Sequence, residues 1–249
     1  MSKLNDILQK VDAQKSKNTN ATADMLKNNE LLLDKKYDFL SNSLAFSNII
    51  ISKEEVKALL LSNDMISSDT KKDKKSDSSD CASRIIIGYS KAFDFMLELS
   101  KQQPLAITED AIKHFHHLLY SELEQSPADT YRMSNFIEKE TGYRSPSFED
   151  LPHVMAHLAD QYRSSCTTLH PVELSAMMSK RVLDIHPFTE GNEAIAHLVM
   201  NLILLYYGYD MVTLPVSKQE AYRLAIHIAR TEYDMDPLCI FLAELLLEN

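Results

Sequence analysis

Apolar residues recur at spacings of three and four along most of this chain, which predicts a succession of helices. The stretch 31–61 reads as two helical pieces. The second starts near Ser52, whose pairing with Glu55 is a capping-box pattern ahead of Val56, Leu59 and Leu60. Ile85, Tyr89, Ala92, Phe93 and Met96 share one face of a helix that ends before Pro104. Thr108 is placed to cap the next helix, with Glu109 and Asp110 in its first turn and Ile112, Phe115, Leu118 and Leu119 on its apolar side. Further helices are predicted over 151–162 and 172–183, after a second capping box at Ser217 and Glu220, and from Pro237 onward. The strongest pattern is 195–208. Ile195, Leu198, Val199, Leu202, Leu205 and Tyr206 form one stripe, while Ala196, Ile203 and Leu204 fill the other side, so this helix is expected to be buried all round and to end at Gly208.

Three stretches break the helical pattern. Residues 1–30 are polar and read as a frayed extension, although Leu4, Ile7, Leu8 and Val11 have the spacing of a short helix that docks on a membrane or partner. Residues 64–83 are rich in Ser, Asp and Lys and read as a flexible loop. Between 127 and 150 the pattern is irregular. Tyr131, Arg132, Phe136, Ile137, Gly142 and Tyr143 suit either a short β-hairpin or an ordinary surface loop. One domain over 31–249 accommodates the rest.

Composition narrows the partners. A net charge of −10 over 249 residues opposes a nucleic-acid partner, which requires a basic face. With 45% hydrophobic residues and 4 glycines, a sizeable helical core is available. Three scattered cysteines form neither a disulfide framework nor a zinc pattern, which points to a reducing compartment. No run reaches the length of a membrane span and no secretion signal is visible, so a soluble, cytoplasmic protein is expected; export as an effector by a dedicated machine would leave no such trace. His114, His116 and His117, and likewise His153 and His157, lack the partners of a zinc site and read as surface or half-buried histidines. Nothing in the sequence specifies the oligomeric state.

The candidate chemistry sits just before the buried helix, in Ile185-His186-Pro187-Phe188-Thr189-Glu190-Gly191-Asn192. A loop that feeds a helix N-terminus presents free N–H groups and the positive end of the helix dipole to an anion. A histidine base and a carboxylate beside it suit phosphoryl or nucleotidyl transfer. The segment resembles the first part of the Fic-family motif, HPFx(D/E)GNGRxxR. Spacing of the surrounding elements is also similar to the Fic core from about residue 40 to the end. The resemblance implies an all-α Fic-type helical bundle with a short β-hairpin flap, and a transferase that modifies a protein hydroxyl. By the same resemblance His186 is the base, Glu190 holds Mg²⁺, and Phe188 packs the loop into the core. Phe188, Thr189, Gly191, Asn192, Glu193 and His197 then belong to the donor-binding region, with Gly191 and Asn192 forming the anion nest. Phe136 and Ile137 belong to the flap that holds the protein substrate by strand addition.

The second part of the motif departs from the family. Glu193 stands at its second glycine, Ala194 at its first arginine and His197 at its last. The segment from Ser43 to Val56 resembles the family's N-terminal inhibitory motif, with Ser47 at the inhibitory glutamate, so both halves of that ion pair are replaced together. Loss of two arginines implies weak ATP binding, a donor other than ATP, or a catalytically inactive binding module. Three substitutions, Glu193→Gly, Ala194→Arg and His197→Arg, are expected to restore ATP affinity. Lys180 and Arg181 are the substitute cations nearest in sequence.

Overall fold

The apolar run after Gly191 forms a helix over Asn192–Tyr206 that is buried from Ala194 to Leu205 without a break. The computed structural model describes residues 3–17, 28–46, 49–67, 78–123 and 129–248. Within these, ten α-helices follow one another: α1 (Lys3–Lys17), α2 (Asn29–Phe46), α3 (Lys53–Ser67), α4 (Ser78–Leu99), α5 (Glu109–Tyr120), α6 (Leu151–Ser165), α7 (Pro171–Ile185), α8 (Asn192–Tyr206), α9 (Gln219–Thr231) and α10 (Asp236–Glu248). No strand longer than a single bridge forms among the described residues.

The α7–α8 pair is the centre of packing, and the other helices cover it from two sides. On one side α4 and α5 pack together and α4 lies on α8, with α2 against α3, α4 and α8. On the other, α10 packs on α1, α7 and α9. Leu198, Val199 and Ile203 have no accessible surface. Burying side chains of this size stabilises by about 1.5–3 kcal/mol each, and truncating one to alanine costs about 2–5 kcal/mol through the cavity left behind. Two polar side chains inside this core are paired. Ser175 Oγ donates to the Met200 carbonyl at 2.8 Å, and the Asn201 side chain bonds the backbone of both His197 and Val212, tying α8 to the connector after it. Gly208, at φ 77°, ends that helix.

Local signals predict several boundaries correctly. Thr108 caps α5 by accepting the Ala111 N–H at 3.1 Å. Ser52 and Glu55 make both hydrogen bonds of a capping box. Others need correction. Ser217 lies inside a 3₁₀ turn over Val216–Lys218, and α9 starts one residue later without a side-chain cap. The N-terminal stretch is not frayed over α1. Leu4, Ile7, Leu8 and Val11 are buried, and the Tyr209 hydroxyl donates to Asp12 Oδ1 at 2.6 Å. A four-residue apolar stripe is too short to reveal its cover from sequence; here the cover is α10. Helices α3 and α4 also reach into both ends of the expected 64–83 loop, because Ser and Asp suit helix termini as well as loops. Residues 68–77 lie outside the described set, as do Ser47 and Asn48. No helix of the described chain is long and apolar enough to cross a membrane.

Residues 129–147 cross over the start of the 186–191 loop as a flap. Its hairpin is minimal: one antiparallel bridge between Ile137 and Arg144, supported by the Glu138 N–H to the Tyr143 carbonyl at 2.9 Å and the Ser145 N–H to the Phe136 carbonyl at 3.3 Å.

Candidate active site

The loop between α7 and α8 is held by its own side chains. His186 ends α7 in the left-handed conformation, at φ 48°. Gly191 is left-handed too, at φ 81°, and a Cβ there would lie 2.7 Å from the Tyr120 ring, so only glycine fits both backbone and space. Asn192 is buried, and its side chain closes the loop. Its Oδ1 accepts the Phe188 N–H at 3.0 Å and its Nδ2 donates to the Phe188 carbonyl at 2.8 Å. The first-turn amides of α8 have no intrahelical acceptor and carry the positive end of its dipole.

A cleft of about 720 Å³ opens over this turn. His186, Thr189, Glu190, Gly191, Asn192 and Glu193 line it from the loop, and Phe136 and Ile137 from the flap. Phe46, Tyr120, Tyr222, Arg223 and Arg230 complete the wall. Three of the expected donor-binding residues have their side chains buried or engaged within the protein. Phe188 has no accessible surface and stacks on His116, with ring centroids 3.9 Å apart. The Asn192 side chain is spent on Phe188, which leaves its backbone for an anion. His197 is 1% exposed, does not line the cleft, and packs edge-on against Phe46 with centroids 4.8 Å apart. Its Nε2 has no hydrogen-bond partner among the described residues. Burial pushes its pKa down to about 3, so it is neutral and brings no charge to a ligand.

His186 lies face to face with Phe136, at a centroid distance of 3.5 Å and an interplanar angle of 6°. Burial, helped by the nearby Arg132 guanidinium, pushes its pKa down to about 4, so the imidazole is unprotonated at neutral pH. Glu190 is exposed at the cleft. One open carboxylate fits Mg²⁺ of the kind held by a carboxylate together with waters and substrate phosphates. Burial raises the Glu193 carboxyl above its ordinary range, while the Arg223 charge pulls it back. Glu193 therefore repels a phosphate less than a solvated carboxylate does.

Sequence reasoning misses five contributors. The expectation for His116 is a surface or half-buried position. In the fold it is 1% exposed, accepts the Asp129 N–H on Nδ1 at 3.2 Å and lies beside the Glu190 backbone. No sequence signal marks it, since its neighbours come from two distant loops. Phe46 and Tyr222 close the cleft beside Glu193, and nothing in the sequence separates them from ordinary core positions. Lys180 and Arg181 do not line the cleft, and Lys180 pairs with Asp184 at 2.5 Å. Arg223 does line it. Arg230 does as well, but it is engaged by Asp184 at 2.8 Å and Glu138 at 2.9 Å.

The chain is similar to known proteins in sequence and in fold. The Fic/DOC family model matches residues 106–204. Protein adenylyltransferase fic-1 of Caenorhabditis elegans is 27% identical over 162 residues, 64% of this chain, and the match spans 31% of that relative's length. The structure of C. elegans Fic-1 superposes with a TM-score of 0.79 at 20% identity, covering 98% of this chain and 69% of that one. A structure of IbpAFic2 covalently tethered to Cdc42 superposes with a TM-score of 0.52 at 18% identity, covering 100% of this chain and 98% of that one. The match to the Fic/DOC family model thus falls on residues 106–204, the segment that carries the loop between α7 and α8, and the fold is the one seen in C. elegans Fic-1.

Proposed function

We propose that this protein is a Fic-type transferase that moves a phosphate-containing group from a nucleotide-linked donor to a hydroxyl of a protein substrate. The observation that carries this reading is convergence: His186, Glu190 and the first turn of α8 meet in one cleft beneath the flap. His186, unprotonated at neutral pH, takes the proton of the incoming hydroxyl as its oxygen bonds to phosphorus. The bond from phosphorus to the rest of the donor breaks in the same displacement. The first-turn amides of α8 hold the phosphate oxygens, and Glu190 would hold Mg²⁺, which neutralises them. Exposed Met133 and Ile137 on the flap offer an edge for the protein substrate. The relatives named as protein adenylyltransferases support transfer of this kind.

The donor is read from the opposite end. No arginine stands at positions 194 and 197, and Phe46, Tyr222 and Glu193 occupy that wall, which favours a donor that does not present a terminal polyphosphate there. A binding module without turnover is the second reading, favoured by the Phe136 ring lying over His186. Calorimetry with Mg²⁺ and ATP, UTP, CTP or CDP-choline, followed by intact-mass analysis of the protein incubated with host lysate and each donor, separates the two. The transferase reading expects saturable, Mg²⁺-dependent binding of at least one donor and a matching mass increment on some protein. Absence of both with every donor leaves the binding module.

A further inference from the structure

We propose that Arg132 is a positioning residue that clamps the flap to the base loop, holding the His186 backbone in its left-handed conformation and its ring beneath Phe136. Arg132 is 4% exposed. Its Nε donates to the His186 carbonyl at 2.7 Å, its Nη1 to the Ser134 carbonyl at 2.6 Å, and its Nη2 to the carbonyls of Pro146 at 2.5 Å and Ile185 at 3.4 Å. Its backbone N–H adds a bond to the Pro187 carbonyl at 2.9 Å. One residue therefore grips three consecutive positions of the base loop, through its side chain and its own amide, and both arms of the flap.

A buried arginine ordinarily sits against a carboxylate, yet the Arg132 guanidinium donates to main-chain carbonyls. The compensation comes from the end of α7. Helix termini leave their last carbonyls unpaired and carry the negative end of the dipole. Ile185 and His186 supply two such carbonyls, and the guanidinium caps both. The planar fork with five donors is what makes this geometry available; the three donors of a lysine ammonium leave flexible from one point and cannot span the same acceptors. The flap has only one bridge of its own among the described residues. Its register over His186 is thus set by Arg132 rather than by strand pairing, and so is the 3.5 Å stack of Phe136 on the base.

What His186 does chemically rests on the transferase reading, but the clamp is tested without turnover. In the intact protein, the clamp expects the Arg132 Nε–H to exchange slowly and its two Nη groups to give separate, non-averaging NMR signals. It expects the His186 ring protons to be displaced upfield by the Phe136 ring current. In Arg132→Lys the His186 displacement should collapse toward that of a free imidazole, and the Glu138 and Ser145 amides should exchange faster. If transfer is present, kcat should fall about 10²-fold, as misplacement of a reacting group does, with KM for the donor unchanged. A folded Arg132→Lys protein whose His186 ring signals match wild type overturns the clamp, whatever its activity. So do averaged, fast-exchanging Arg132 signals in the wild-type protein, which decides the matter if the variant does not fold. An absence of transfer from the wild-type protein counts against the transferase reading and leaves these spectroscopic arms intact.

Discussion

The two ends of the cleft are built on opposite principles. At the flap end, the anchoring groups are hydrogen-bonded: Arg132 to four carbonyls, Arg230 to two carboxylates, and Asn192 to both polar groups of the Phe188 backbone. At the other end, beside Glu193, the wall is packed rather than bonded. Phe46, Tyr222 and the neutral His197 pack edge to face, and the His197 Nε2 has no partner among the described residues. A hydrogen-bonded frame holds a reacting group to a fraction of an ångström. An aromatic wall excludes water and charge but reads little else. On the proposed reading, the bonded end fixes the geometry for a proton transfer, and the packed end offers a ligand shape rather than charge.

The sharpest test of the bonded end is His186→Asn. Asparagine tolerates the left-handed backbone, so the fold should melt near wild type while any transfer falls about 10²–10⁴-fold, the usual contribution of a general base. Transfer at the wild-type rate by a folded variant would remove His186 from the mechanism. The packed end is tested by putting charge back. The sequence suggests that restoring the motif arginines should restore ATP binding, but Ala194 and His197 are each 1% exposed. Ala194→Arg is therefore expected to destabilise by about 3–5 kcal/mol, as an uncompensated buried charge does, read as a shift in urea midpoint. A stable variant with tight Mg-ATP binding would mean that the wall opens.

The smallest effect is in the pH dependence. The pKa of His197, pushed down to about 3, lies below the ordinary value of 6.5. Between pH 6.5 and about 3 the unfolded imidazole takes up a proton that the folded one refuses, so stability falls as the solution is acidified and is unaffected above that window. His197→Phe removes this contribution. The loss of stability between about pH 7.5 and pH 5 should shrink by about 2 kcal/mol. An unchanged pH slope in the variant would show that His197 is solvated. His116 and His186, both pushed down to about 4 by burial, act in the same direction and leave a residual slope.

Spacing and local chemistry are enough to read α8 as a buried helix, Thr108 and Ser52 as helix starts, and the loop from His186 to Asn192 as the centre of the site. These features depend on residues within one or two turns of each other, and a single sequence carries that information complete. What the tertiary structure decided is which groups those elements bring together. His116 meets Phe188 and Glu190, which lie more than about 70 positions further along the chain. Arg132 meets Ile185 and His186 across 53 and 54. Phe46 reaches His197 from a helix near the start of the chain. The same packing turned His197 and the Asn192 side chain away from the cleft and brought Arg223 to it. Helical period assigns a residue to a face, but whether that face meets a ligand or another helix is set by how the helices cross, and this is a property of the whole chain.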